Sequence, residues 1–290
     1  MTNTAQIYDQ GYRTYDGPRT GVPGAIRAVV KQSLRHSLGL GRSAVHKILP
    51  LAIVMMAYIP AVVFVGLAVL IPVDVSHRFL PSYAQYYGFV AATIYLLAGL
   101  VGPELLCADR RTGMLGVYLA SPLSRNTYLI SKALSVFIML LLVTLGPPVL
   151  MLIAFSLQDV GPNGFVDWIS TFVKIVIASA VVGVFYTAVS LAVAAFTDRR
   201  AMASATIMAI IPGSGIFTDR LVLDADLSPW FRMANLLFLP RAIVFRVFRE
   251  SEGWPAYQNS TLSLWTAFAV IVGSCVLLIW YRYRTLLVTK

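Results

Sequence analysis

Between Ile48 and Ile71 the chain runs for 24 residues without one charged side chain. An α-helix rises about 1.5 Å per residue and the hydrocarbon of a bilayer is about 30 Å thick, so this stretch, wound as a helix, reaches across. Runs of the same kind recur at about Tyr86 to Pro103, Ala133 to Leu157, Trp168 to Phe196, Ala201 to Phe217 and Ser260 to Tyr281. With 58% hydrophobic and only 12% charged residues, and a mean hydropathy of +0.75, lipid is the default solvent of the chain. The expected fold class is an all-α membrane protein with six transmembrane helices.

A net charge of +10 and a pI near 9.8 raise nucleic-acid binding as an alternative, and the placement of the basic residues argues against it. Lys and Arg are dense in 1–47 (Arg13, Arg19, Arg27, Lys31, Arg35, Arg42, Lys47) and sparse after the first span, where Arg78 stands with Asp74 and His77. They return at Arg110, Arg111, Arg125 and Lys132, at Arg199 and Arg200, and at Arg282, Arg284 and Lys290. Those four segments hold 16 of the 23 basic residues, and the positive-inside rule puts them, with both termini, in the cytoplasm. The expected location is the plasma (inner) membrane, multi-pass. The polar start of the chain predicts no removable signal peptide.

Two parts are expected: a cytoplasmic N-terminal segment, 1–47, and a transmembrane domain, 48–290. In the first, Ile26, Val29, Val30, Leu34 and Leu38 recur at helical steps while Arg27, Lys31 and Arg35 step by four along another face. That pattern predicts an amphipathic helix lying in the headgroup plane with its basic face toward anionic lipid. In the second, prolines punctuate the spans. Pro60 should kink the first, Gly146-Pro147-Pro148 should break the third, and Pro212-Gly213 should interrupt the fifth, stopping it partway. Lys174, near the outer end of the fourth, reads as a snorkelling lysine.

The stretch Trp230 to Phe248 is apolar but carries Arg232, Arg241 and Arg246 around Pro240. A central arginine costs about 2.5–3.5 kcal/mol on insertion scales, against about 0.3–0.6 gained per leucine, so broken re-entrant or interfacial helices fit better than a seventh span.

Catalytic signatures are missing. There is no G-x-x-x-x-G-K-[ST] loop, no H-E-x-x-H and no G-x-S-x-G, so any ATP energy must come from another chain. Cys107, Cys275, His36, His46 and His77 show no metal-ligand spacing, and no metal or disulfide framework is expected. Spans with few ionised groups argue against an ion-coupled carrier.

One constellation stands out, running from Gly102 to Arg125 after the second span. A charged start at Asp109-Arg110-Arg111, Met114, Leu115, Tyr118 and Leu119 at helical spacing, and a Ser121-Pro122 stop predict a compact element with an apolar side, suited to docking in a partner's groove. The run from Asp109-Arg110-Arg111-Thr112-Gly113 through Leu119-Ala120-Ser121-Pro122-Leu123-Ser124-Arg125 to Lys132 resembles the segment of ABC-2 type transporter permeases that forms a coupling helix between spans two and three. The span number, the amphipathic helix before the first span and the broken region before the last are similar to that family too. The chain departs from it in having Asp109 where such permeases more usually carry Glu.

The resemblance implies a permease subunit of an ATP-driven exporter working by alternating access. Its partners would be an ABC ATP-binding subunit, a second permease chain, identical or related, and membrane lipid, with no nucleic acid. ATP and Mg would be bound in the partner ATPase and no cofactor by this chain, which would not itself be an enzyme. Asp109, Arg110, Gly113, Met114, Leu115, Tyr118 and Leu119 would sit on the ATPase, supported by the interfacial helix with Arg27, Lys31 and Arg35. An amphipathic or lipid-like substrate would meet the first, second and fifth spans, where Tyr58, Thr93, Tyr95, Thr206 and Met208 stand. Two other classes are weighed: an ATPase-coupled anchor or sensor without transport, and a membrane-bound lipid-modifying enzyme, which lacks a catalytic constellation.

Overall fold

A computed structural model describes residues 17, 20–40, 44–71, 80–120, 122–223, 228–250 and 259–285; Asp74, His77, Arg78 and Ser121 lie outside them. All its regular elements are helical: α1 Gly21–Ser37, α2 Ala44–Leu70, α3 Tyr83–Phe89, α4 Ala91–Arg111, α5 Met114–Ala120, α6 Arg125–Thr144, α7 Gly146–Leu157, α8 Phe165–Ala195, α9 Arg200–Leu223, a 3-10 helix Pro229–Ala234, α10 Phe238–Phe248 and α11 Thr261–Thr285. Six helical stretches are long and apolar enough to cross a membrane, at Lys47–Leu70, Ala91–Arg111, Arg125–Leu157, Phe165–Ala195, Arg200–Val222 and Thr261–Thr285. The chain is a multi-pass membrane protein. Its mast is α8, which touches α4, α6, α7, α9, α10 and α11, while α2 and α11 turn large apolar side chains such as Met55, Ile59, Val270 and Leu277 outward.

Several boundaries move from where apolarity alone put them. The second span begins at Ala91, not Tyr86, because Tyr83–Phe89 forms a separate short helix started by a capping box between Ser82 and Gln85. That span also continues through Pro103 to Arg111, so Asp109, Arg110 and Arg111 end a spanning helix rather than start a short one. Close packing on α8 supports it there: Gly102 leaves no room for a Cβ against Ser190, whose hydroxyl donates to the Ala98 carbonyl at 2.6 Å.

The third span starts at Arg125, eight residues before Ala133, because Ser124 accepts from the Thr127 amide at 3.2 Å and caps it. Lys132 is thereby a buried helical residue and not part of a loop. The fifth span is not interrupted at Pro212-Gly213. It runs on to Leu223, past Asp219, since one proline removes one backbone bond and the segment around Asn235 and Leu237 packs beside it at Gly215. The helix of the first span, α2, is also continuous through Pro50 and Pro60.

The third span does break, between Thr144 and Gly146. Pro147 and Pro148 lack the amides that would serve the carbonyls of Val143 and Thr144 four residues earlier. Side chains from neighbouring helices take their place. The Tyr86 hydroxyl lies 3.4 Å from the Val143 carbonyl and 3.1 Å from the Ala57 carbonyl of α2, and the Ser179 hydroxyl lies 2.9 Å from the Thr144 carbonyl and 2.8 Å from its own Ile175 carbonyl. Tyr58 donates to the Leu142 carbonyl at 3.2 Å. These are the partners a buried backbone group requires.

The region before the last span folds as two short helices that dip back into the bundle. At its tip the Leu236 amide donates to Ser214 at 3.0 Å and its carbonyl accepts from Tyr186 at 3.2 Å. Ser214 lies 14 residues into α9, about 21 Å from its start, so the tip stands beside the middle of that helix. Buried Asn235 holds the turn, its Oδ1 accepting from the amides of Leu237 and Phe238.

Replacing Ser179 by Ala and Tyr86 by Phe strips the two side-chain partners from the break. Each substitution is expected to cost about 1–3 kcal/mol, read as a fall in the melting temperature of the detergent-purified chain, while Ser156→Ala, whose hydroxyl serves only its own helix at Leu152, leaves that temperature near wild type.

Candidate functional site

The functional candidates converge where α4 ends. Its last two turns carry Glu104, Asp109 and Arg110, and each takes its partner from a different part of the bundle. Glu104 pairs with His36 of α1 at 3.2 Å and with Arg200, the first residue of α9, at 2.5 Å. Asp109 pairs with Lys132 of α6 at 2.7 Å and accepts from the Tyr128 hydroxyl at 2.9 Å. Arg110 pairs with Asp198 in the turn between α8 and α9 at 2.7 Å and donates to the Ala195 carbonyl at the end of α8 at 2.5 Å. Arg125 extends the belt to α11, donating to the Tyr283 and Arg284 carbonyls, both at 2.8 Å. Cationic partners at the last carbonyls of α8 and α11 also match the negative ends of those helices.

The Asp109 and Lys132 pair differs from the others in burial. Their side chains are 15% and 3% exposed, whereas Asp198 is 64% and Arg200 47% exposed. Desolvating two charges cancels much of their attraction, so the pair's strength shows when one partner is removed and the other stays buried alone. Lys132 is held further by Ser33 of α1 at 3.3 Å and by the ring faces of Tyr118 and Tyr128, 5.3 and 5.6 Å from its ammonium.

Through these rings α5 is fastened. Tyr118 lies 5.5 Å from the ring of Tyr128, which lies 6.1 Å from that of Tyr283. Burial, and then the nearby Asp109 carboxylate, raise the Tyr118 phenol above its ordinary value, so it stays neutral near pH 7. The turn into α5 depends on Gly113, whose φ of 72° lies in the left-handed region and whose place would leave a Cβ open space but a strained backbone. Leu115 and Tyr118 pack toward the core, and Leu119 is half-buried. The opposite face shows Met114 and Val117, 41% and 63% exposed.

The seven residues read from sequence therefore divide. Gly113 and Met114 are exposed, Leu115, Tyr118 and Leu119 half-buried, and Asp109 and Arg110 turn into the bundle. On α1, Arg27, Lys31 and Arg35 are exposed, but the helix is not simply laid on a surface: Val29, Ser33 and Ser37 are buried, and it packs on α6 and α4. The five substrate-path residues are not brought together. Tyr58 serves the Leu142 carbonyl, Thr93 is buried, Thr206 bonds its own helix at the Met202 carbonyl, Met208 packs beside Gly99, and Tyr95 lines a cavity near the other end.

Glu104, Tyr128, Asp198 and Arg200 belong to the site and were not singled out by sequence, and Lys132 was named only as the end of the run that resembles the permease segment. The available signal was helical register: Tyr128 and Lys132, four apart, fall on one face once the helix is begun at Arg125, and both meet Asp109. Set against known proteins, the chain matches no family model and no curated protein.

Lys132→Met leaves the Asp109 carboxylate buried without its cation and is expected to destabilise the purified chain by about 3–5 kcal/mol. Adding Asp109→Asn should restore much of that loss. A melting-temperature comparison of the single and double variants checks the coupling, and additive losses would contradict it.

Proposed function

We propose that this chain is the permease subunit of an ATP-driven exporter of the ABC-2 type. Two permease chains pair in the plasma (inner) membrane, termini in the cytoplasm, and a separate ABC subunit supplies ATP, Mg and hydrolysis. The observation that supports this most is the setting of α5: a short helix showing Met114 and Val117 outward, with its other face fastened to the ends of two spans, α4 and α6.

Such an element acts as a coupling helix because force on its outer face has a short rigid route inward. Displacing α5 moves Tyr118 against Tyr128 on α6 and strains the Gly113 turn at the end of α4. Those two spans are joined by the Asp109 and Lys132 pair, and Arg110 carries the displacement to the turn between α8 and α9. Closure of the ATPase beneath α5 would then tilt these spans as a body and alternate access between the two sides of the membrane. The shorter Asp109, in place of the family's Glu, reaches both Lys132 and Tyr128, so the departure costs the arrangement nothing. The basic face of α1, with Arg27, Lys31 and Arg35, meets anionic lipid beside it, and the transported substrate is amphipathic or lipid-like.

Copurification of the tagged chain from its native membranes, followed by ATP hydrolysis, tests the proposal. Wild type should bring a stoichiometric P-loop ATPase. Met114→Glu with Val117→Glu alters only exposed positions, so it should insert and melt like wild type yet retain about a tenth or less of that ATPase. A wild-type chain that purifies without an ATPase, or a double variant that keeps all of it, would overturn the reading.

A further inference from the structure

Away from the polar belt, a cavity of about 700 Å³ lies between the start of α4, α9, the 3-10 helix and α10. Pro212, Gly215, Ile216 and Asp219 line it from α9, at spacings of three and four that put them on one face. Pro212 and Asp219 are 12 and 19 residues into that helix, about 18 to 28 Å from its start, which places the cavity alongside the half of the bundle remote from the belt. Ala92 of α4 and Ile216 of α9, both lining it, are exposed, so it opens sideways between two spans.

Two arginines from separate elements meet there. Arg232, on the 3-10 helix, has its Nε buried without a hydrogen-bond partner. Arg241, on α10, lies with its guanidinium 5.8 Å from the ring centre of Phe245 and against Gly88, where an added Cβ would come within 2.8 Å of Nη2. Asp219 offsets one of the two charges, and the lining keeps an excess of one positive charge. An ionisable group at membrane depth points to a ligand or a pathway, and guanidinium forks suit the paired oxygens of phosphate or carboxylate. A purely apolar guest would leave the buried Nε of Arg232 unserved, and a small water-soluble anion would leave the lateral apolar opening unfilled.

We infer that this cavity binds one anionic amphipath, its phosphate or carboxylate held between Arg232 and Arg241 and its hydrocarbon leaving past Ile216 into lipid. Calling that amphipath the exported substrate rests on the exporter reading. Binding itself does not, and the assay below contains no ATPase, so the two fail separately.

The test is native mass spectrometry of the delipidated full chain in detergent, titrated with dioleoyl phosphatidic acid, dioleoyl phosphatidylcholine and inorganic phosphate. Phosphatidic acid should bind about tenfold more tightly than phosphatidylcholine, and Arg232→Gln with Arg241→Gln should abolish that preference. Gly215→Leu fills the cavity without touching either arginine. Its Cβ would meet Asn235 and Leu237 at an ordinary 3.5 Å, and it should weaken phosphatidic acid by a similar factor. Arg199→Gln, in the exposed turn between α8 and α9, should change nothing. Undiminished phosphatidic acid binding in the arginine or the Gly215 variant, or displacement of the lipid by equimolar inorganic phosphate, would overturn the assignment, the last by giving the site to a soluble anion.

Discussion

Inside a bilayer a carbonyl that loses its helical partner has no water to turn to, and Pro147 and Pro148 release two of them in the middle of one span. Tyr86, from the short helix before the second span, and Ser179, from the central α8, come to those carbonyls, and Tyr58 of the first span comes to the one before. Four segments are thereby fixed to one another at one depth. The same requirement accounts for the region before the last span. Leu236 can stand beside the middle of α9 because Ser214 and Tyr186 serve its amide and carbonyl, and because Asn235 supplies the cap that starts α10 there. The half of the bundle away from the basic end is thus held by these hydrogen bonds to backbone, joined by those from Arg246 to the Asn259 carbonyl and from Ser82 to the Glu250 carboxylate, leaving room for the cavity with its two arginines.

The basic end is held differently, by charge. Glu104, Asp109 and Arg110 fasten α4 to α1, α6 and the turn between α8 and α9, with only the Asp109 and Lys132 pair deeply buried. A buried pair is a poor source of net stability but a strict specifier of geometry, since most displacements strand a charge. That is the property a lever needs. Tyr118 rests on the pair through its ring and gives α5 a firm seat, while Met114 and Val117 remain turned out. The two ends therefore suit two tasks, an exposed helix with a stiff connection inward and a lateral cavity some tens of Å away.

Much of this was readable from residue types. The six apolar runs, the break at Pro147-Pro148 and the failure of Trp230 to Phe248 to make a span all follow from apolar length and from the cost of arginine and proline in lipid. What apolarity could not supply was the extent of helix beyond the hydrocarbon. Polar residues at Glu104 to Arg111 and Arg125 to Lys132 look like loop because hydropathy falls there, yet they continue the helices and bring Asp109 to Lys132. Pro212 misled for a related reason: its cost to one isolated helix is fixed by sequence, but the packing that offsets it comes from Asn235 and Leu237, more than twenty residues away. The Asp109, Tyr128 and Lys132 cluster was hidden in the same way, by an N-cap at Ser124 that decides the register.

A photo-crosslinking residue at Val117, on the exposed face of α5, asks directly whether an ATPase docks there, with one at exposed Phe89 beside the opposite end as the control. In native membranes, illumination should join Val117, and not Phe89, to a P-loop ATPase. Adducts of Val117 with lipid alone, or an ATPase captured equally well from Phe89, would contradict docking there.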